Sequence, residues 1–459
     1  MDYYAEYYKN SDALFCEFAE ELAKLHPFFF VYRNISLKEL IIPELYMYGL
    51  SAGWKEKYNH QRLNGISANI LKADFLEELK ATFFWNNKEQ GNIKKYSKEN
   101  KDWAGVLSVY KHQLMIYLFN ERQLSYLMPL VNMVKSPLVL LCDFVVSENI
   151  DFSDSVSIIE FGFSSVSTFQ NEYLEIKFPY IYHYLNTFEQ IISSVTPFGI
   201  VFLEGCHLQE KALNIVAHSH NLKTFCIQQG WPSFMHTLFR RYSYDYFLTW
   251  GRLFNNLWSK YNPTPSYIEC GYMYDIKETK NKQSITFFLQ SPVFLSDNEY
   301  FEEILHLIVK TAERLPRTPI QVREHPEYKI SYLWIERLRT FKNVQFVGDI
   351  PIADVYSNTL VAVSHFSSCI MESIIHNCIP FVFDPTTNSQ YYPDIEELSL
   401  GLFSKNHIDF LIKIESLLKN EEIQQSYFFK IAQRKDEICE NKSTDTLKKI
   451  TLQIESKCV

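Results

Sequence analysis

Beyond residue 155 the chain alternates short apolar runs with helical periodicity. Apolar runs at 156–161, 199–203, 223–227, 246–249 and 267–269 end in glycine or polar turns, and helical stretches at 208–220 and 253–261 lie between them. Strand followed by helix, repeated, predicts a parallel α/β sheet. A polar run, 277–283, reads as a linker, and a second series starts after it. Its strands are predicted at 284–289, 320–323, 344–347, 361–364 and 379–383, and its helices at 299–314, 353–358 and 369–376. The segments 408–418 and 421–457 read as closing helices. The first 150 residues show no such rhythm. Leu14, Phe18, Leu22 and Leu25 recur at helix spacing and 86–101 is a Lys/Asn-rich break, so this part is read as mostly helical, its apolar face a packing face.

These patterns divide the chain into a mostly helical N-terminal part (1–150) of a first domain, the α/β portion of that domain (151–276), a second α/β domain (277–420) and C-terminal closing helices (421–459). A length of 459 residues also exceeds what one hydrophobic core serves. With 47% hydrophobic residues, 36 Phe and 30 Tyr, the chain has ample material for packed cores. The net charge of −9, without a long basic run, gives a nucleic-acid partner no electrostatic support. Nine cysteines stand singly, and Cys206-His207 and His376-Asn377-Cys378 lack zinc-site spacing, so neither a metal nor a disulfide framework is expected. The N-terminus has no signal-peptide pattern, which predicts a cytoplasmic protein, and the longest apolar stretch, 137–146, contains Asp143 and is too short to span a bilayer.

Candidate chemistry sits at predicted strand ends. His325-Pro326 follows one strand, and Ser364 and Ser367-Ser368 end another. Read as neighbouring parallel strands, they would open onto one crevice, with the serines at the positive end of the following helix, where an anion is favoured. Gln290-Ser291 follows the first strand of the second series, and Glu372 lies one turn into the serine helix. In the first series, Glu204-Gly205 ends one strand and Gln228-Gln229-Gly230 follows another.

Two α/β halves with phosphate-type residues in the second resemble a GT-B glycosyltransferase. His325-Pro326 and Ser367-Ser368 are similar to the His-Pro and Ser-Ser motifs of bacterial sialyltransferase-type and capsule or lipopolysaccharide transferases that use CMP-activated sugars. That family carries an acidic-acidic-Gly motif supplying the base, and here Leu203-Glu204-Gly205 keeps one acid. Gln228-Gln229-Gly230 resembles the Gln-His-Gly segment of teichoic-acid transferases, with Gln229 in place of His. The resemblance implies an inverting transfer of an acidic sugar, sialic-acid-like or Kdo-like, from a CMP donor to an oligosaccharide or lipid-linked glycan, the latter at a membrane surface.

In that scheme Glu204 is the base and His325 assists departure. His325, Pro326, Ser364, Ser367, Ser368, Gln290, Ser291 and Glu372 hold the nucleotide, and Gly205, Gln229 and Gly230 face the acceptor. The chain has no Asp-x-Asp sequence, and no metal or cofactor is expected beyond the nucleotide sugar. Alternatives are a CDP-glycerol or CDP-ribitol transferase, a UDP-sugar transferase or epimerase, and a non-catalytic glycan-assembly protein. Other functions compete at single residues. Ser367-Ser368 reads also as a helix cap, Glu204 as a solvated carboxylate, and His207, His218, His220, His236, Arg240 and Arg241 as packed or solvated rather than as an anion cluster.

Overall fold

The computed structural model describes residues 3–51, 110–161, 178–231, 237–290, 298–385 and 395–458, except positions 26, 148, 278, 280, 327, 366, 397 and 441, together with residues 53, 77 and 107. After a two-residue ribbon, β1 (Val31–Tyr32) and β2 (Ile35–Ser36), the first sheet is built from β3 (Leu114–Leu118), β4 (Leu138–Cys142), β5 (Val156–Glu160), β6 (Gly199–Leu203), β7 (Lys223–Ile227), β8 (Tyr246–Thr249) and β9 (Ser266–Glu269). Its order is β5-β4-β3-β6-β7-β8-β9, parallel throughout. The second sheet is β12-β11-β10-β13-β14-β15, also parallel, from β10 (Ser284–Phe288), β11 (Ile320–Arg323), β12 (Val344–Phe346), β13 (Thr359–Ser364), β14 (Ile379–Phe383) and β15 (Leu402–Ser404).

β3 and β4 are a strand pair inside residues 1–150, where the sequence showed no strand–helix rhythm. Both are five-residue runs buried at every position. Met115, Tyr117, Val139 and Leu141 join the core on one face, and Leu114, Ile116, Leu118, Leu138 and Leu140 join the core on the other. A strand covered on both faces loses the apolar/polar alternation that marks a strand in sequence.

The N-terminal helices Tyr3–Leu25 and Lys38–Ser51 are present as expected, with Phe18 and Leu22 fully buried and Leu14 half-buried against them. They are tied to the first unit by Asp12, which pairs with Arg240 at 3.3 Å and with Arg241, while Arg241 reaches Glu39 at 3.0 Å.

Both sheets repeat one topology. In each, the chain lays down three strands toward one edge and then crosses to the other side of the first strand, so β3/β6 and β10/β13 are switch points, where open α/β sheets leave a crevice at the carboxyl ends. The C-terminal helices lock the two units. Helix Glu421–Ile438 packs against helices Ser368–Ile375 and His407–Lys419 of the second unit and Arg252–Tyr261 of the first. Helix Ser443–Cys458 then lies on the first unit, burying Leu447, Ile450 and Ile454 in the core under β3, β4 and β6. The linker is held to the second unit by Lys282, whose Nζ donates to the carbonyls of Tyr356 at 2.9 Å and His376 at 2.6 Å.

Candidate active site

β6 ends in two consecutive left-handed residues, Glu204 (φ 68°) and Gly205 (φ 72°). Glycine adopts this conformation freely, whereas for glutamate it costs about 1–2 kcal/mol, so the surroundings must impose it. They do so with hydrogen bonds: Glu204 N donates to the Ile227 carbonyl at 2.9 Å, and the Tyr242 and Tyr244 hydroxyls donate to the Glu204 and Gly205 carbonyls at 2.9 and 2.8 Å. A Cβ on Gly205 would lie 2.7 Å from both Cys226 Sγ and the Tyr244 ring. The space beside Gly205, expected from sequence to admit an acceptor, is therefore filled by the core, and its glycine is required by the turn.

The Glu204 carboxyl is half-buried, and burial pushes its pKa up to about 7 against the opposing pull of Arg122. Arg122 stands in the first turn of the helix after β3, capped by Asn120, with its guanidinium carbon 5.6 Å from the Tyr126 ring centroid. Glu204 and Arg122 thus flank the β3/β6 switch point. Behind them the fully buried Glu210 accepts from His207 N at 3.0 Å and Gln123 Nε2 at 3.2 Å, and burial raises its pKa to about 8. Gln123 Nε2 also donates to the Leu203 carbonyl at 3.3 Å, fixing one side of the switch point to the other. The turn also gathers one donor atom each from Glu204, Cys206 and His207 within 4.8 Å of one another.

In the second unit, Ser367 caps helix Ser368–Ile375, its hydroxyl oxygen accepting from Cys369 N at 3.3 Å. Ser368 Oγ accepts from Trp231 N of the first unit at 2.8 Å, and a Cβ on Gly230 would lie 2.5 Å from it. Gly230 thus stands at a close approach of the two units. A serine hydroxyl that accepts still has a proton to donate, so both serines keep a donor for a phosphate oxygen.

His325 is half-buried in the turn after β11, its carbonyl accepting from Tyr328 N at 3.2 Å, and Pro326 is exposed. The expected adjacency of the two strands is corrected: β10 stands between β11 and β13. Strands two places apart lie about 10 Å apart. His325 and Ser367 therefore flank the end of β10, where half-buried Gln290 follows. Ser291 lies outside the described residues.

Ser364 is fully buried and donates to the Phe288 carbonyl at 2.6 Å, a strand-pinning role instead of a ligand role. Gln228 is likewise structural: its amide donates to the Gly230 carbonyl at 2.9 Å and accepts from Trp250 N at 3.0 Å, while Gln229 is half-buried. The basic cluster is consumed internally, Arg240 and Arg241 by Asp12, His220 by Glu189 at 3.0 Å and His218 by Thr224 at 3.2 Å. His236 lies outside the described residues.

Glu372 is half-buried, and burial lifts it to about 7 against hydrogen bonds from Tyr356 and Tyr272 and the charges of Arg323 and Arg122. Arg122 therefore acts on a carboxyl of each unit. Between them runs a wall of rings: Tyr126–Tyr274 at 5.6 Å, Tyr274–Tyr272 at 5.1 Å, Tyr272–His376 at 6.0 Å and His376–Tyr356 at 4.4 Å. The buried Tyr274 hydroxyl has no hydrogen-bond partner among the described residues, and burial, followed by Tyr126, Glu372 and Glu204, raises its pKa. Sequence reasoning missed Arg122, Tyr126, Tyr272 and Tyr274. Recognising β3 as a strand would have placed Asn120 and Arg122 at a switch point, whereas the tyrosines carry no motif.

No protein-family model matches the sequence, and no curated protein does. Solved structures match in fold. A Listeria monocytogenes protein assigned as a UDP-N-acetylglucosamine 2-epimerase superposes with a TM-score of 0.50 at 11% identity, covering 76% of this chain and 96% of its own. The S. aureus MnaA–UDP co-structure gives a TM-score of 0.50 at 10% identity, covering 76% of this chain and 98% of its own. The fold is GT-B: two Rossmann-like units facing across a cleft, here with added N-terminal helices and closing C-terminal helices.

Proposed function

We propose that the chain is an inverting glycosyltransferase that needs no metal ion and uses a CMP-linked acidic sugar as donor and an oligosaccharide or lipid-linked glycan as acceptor. The observation that carries this reading is the pairing of two switch points. One bears the strained, half-buried Glu204, and the other bears a serine-capped helix start flanked by His325. A carboxylate on one wall and phosphate-holding groups on the other are what nucleotide-sugar transfer requires.

In this mechanism Ser367, Ser368 and the first N–H groups of helix Ser368–Ile375 hold the donor phosphate, and His325 hydrogen-bonds or protonates it as it leaves. The acceptor oxygen bonds to the anomeric carbon on the face opposite the nucleotide as its proton passes to Glu204. The carbon–oxygen bond to phosphate breaks, and its electron pair leaves with CMP. Arg122, beside the base, suits the carboxylate of an acidic sugar.

Nucleotide release with CMP-, CDP- and UDP-linked donors tests the reading. CMP release from the CMP-sugar donor, with acceptor-dependent turnover, is expected, lost in Glu204→Gln and His325→Ala. Release of UDP alone would move the donor class to that named in the S. aureus structure's title. Release of CMP from a CDP-polyol donor, with no turnover of CMP-sugars, would favour polyol-phosphate transfer, which position 229 disfavours because it is glutamine where teichoic-acid transferases have histidine. Binding without turnover of any donor would mean a glycan-assembly protein. Among the described residues no helix is long and apolar enough to cross a membrane, so a lipid-linked acceptor would be met at a bilayer surface.

A further inference from the structure

We propose that Glu204, Cys206 and His207 form a binding site for a divalent transition-metal ion of borderline softness, such as Zn2+, and that occupancy silences glycosyl transfer. A carboxylate oxygen, a thiol sulfur and an imidazole nitrogen already lie within 4.8 Å of one another. The backbone presenting them is anchored at four places: Glu204 N on Ile227 O at 2.9 Å, the Glu204 and Gly205 carbonyls under the Tyr242 and Tyr244 hydroxyls at 2.9 and 2.8 Å, and His207 N on the Glu210 carboxylate at 3.0 Å. The His207 ring is further held against Phe119, stacked at 4.7 Å and 22°. Held this way, the turn leaves only side-chain rotation to complete a site. Zn2+ sits about 2.0–2.3 Å from such donors, so they must close to about 3.5 Å apart.

The donor set chooses the metal. One thiolate with one imidazole and one carboxylate suits Zn2+ or Co2+, whereas Mg2+ and Ca2+ prefer oxygen alone. Three protein ligands leave a fourth position for water or a substrate oxygen. Binding displaces the thiol proton of Cys206 and engages the Glu204 lone pair that would otherwise take the acceptor's proton. The silencing rests on the reading of Glu204 as the base, and the binding site does not.

Titrating the chelator-stripped full chain with Co2+ separates the two. The expected result is a sulfur-to-cobalt charge-transfer band that saturates at one equivalent and is erased by Zn2+. It should vanish in Cys206→Ala, and His207→Ala should weaken Co2+ binding by about 100-fold or more. The wild-type spectrum needs no variant, and melting curves verify that the variants fold. Absence of the band from the wild type, or its persistence in Cys206→Ala, overturns the site. Zn2+ inhibition that follows occupancy supports the silencing. A saturated site with undiminished turnover would overturn both the silencing and the assignment of Glu204 as base, leaving the metal site standing.

Discussion

Glu204 combines two costly features, a left-handed backbone and a carboxyl withdrawn from water. A left-handed glutamate at a switch point is what motivates the proposal that Glu204 is the base. Glu204→Gln should lower kcat by about 100-fold or more with little change in donor KM, measured by steady-state nucleotide release. Arg122→Gln should lower kcat/KM for an acidic-sugar donor by about tenfold or more and should spare neutral-sugar donors, since it removes a charged hydrogen bond worth about 1.5–3 kcal/mol. Glu372 carries a pH signature. Its ordinary value of 4.5 rises to about 7 in the folded state, so the folded protein holds this proton more tightly than the unfolded chain. Ionisation of Glu372 then opposes folding, the cost growing as pH rises from 4.5 and reaching its full size above about 7. Glu372→Gln should therefore gain melting temperature over the parent progressively between these values and hold a constant gain above them. A gain independent of pH would sink that account.

At the scale of elements, the turn after β6 is built so tightly that Gly205→Ala should cost about 2–4 kcal/mol, from a positive φ together with overpacking against Cys226 and Tyr244, read from denaturant unfolding. Such turns were legible in the sequence because a short apolar run stops at glycine or a polar pair. Five of the six strands of the second sheet were legible for the same reason, as were the serine cap and the His325 turn, whereas the three-residue edge strand β15 was not. β3 and β4 were not, since Leu114 to Leu118 and Leu138 to Cys142 are apolar at every position and periodicity cannot distinguish such a strand from a short buried helix. Missing β3 also hid Arg122. The order of β10, β11 and β13 was hidden as well, because sequence proximity of β11 and β13 says nothing of the strand inserted between them. Tyr126, Tyr272 and Tyr274 come together from separate segments and leave no trace in spacing.

At the scale of the molecule, two units share one topology, and the chain's end returns to bind them. Deleting residues 443–459 should uncover the face of the first sheet beneath Leu447, Ile450 and Ile454 and raise amide exchange in β3, β6 and β7 more than in β10 to β15, measured by hydrogen-exchange mass spectrometry. The two units also meet where Trp231 N donates to Ser368 Oγ and along the wall of rings from Tyr126 to Tyr356, and the proposed function has Glu204 and the two serines face one cleft there. A crystal structure of the full chain with CMP tests that arrangement most directly. The phosphate should lie in hydrogen-bond reach of Ser367 and the first N–H groups of helix Ser368–Ile375, with His325 beside it and Glu204 across the cleft. CMP bound elsewhere, or with its phosphate turned away from the two serines, would contradict the account.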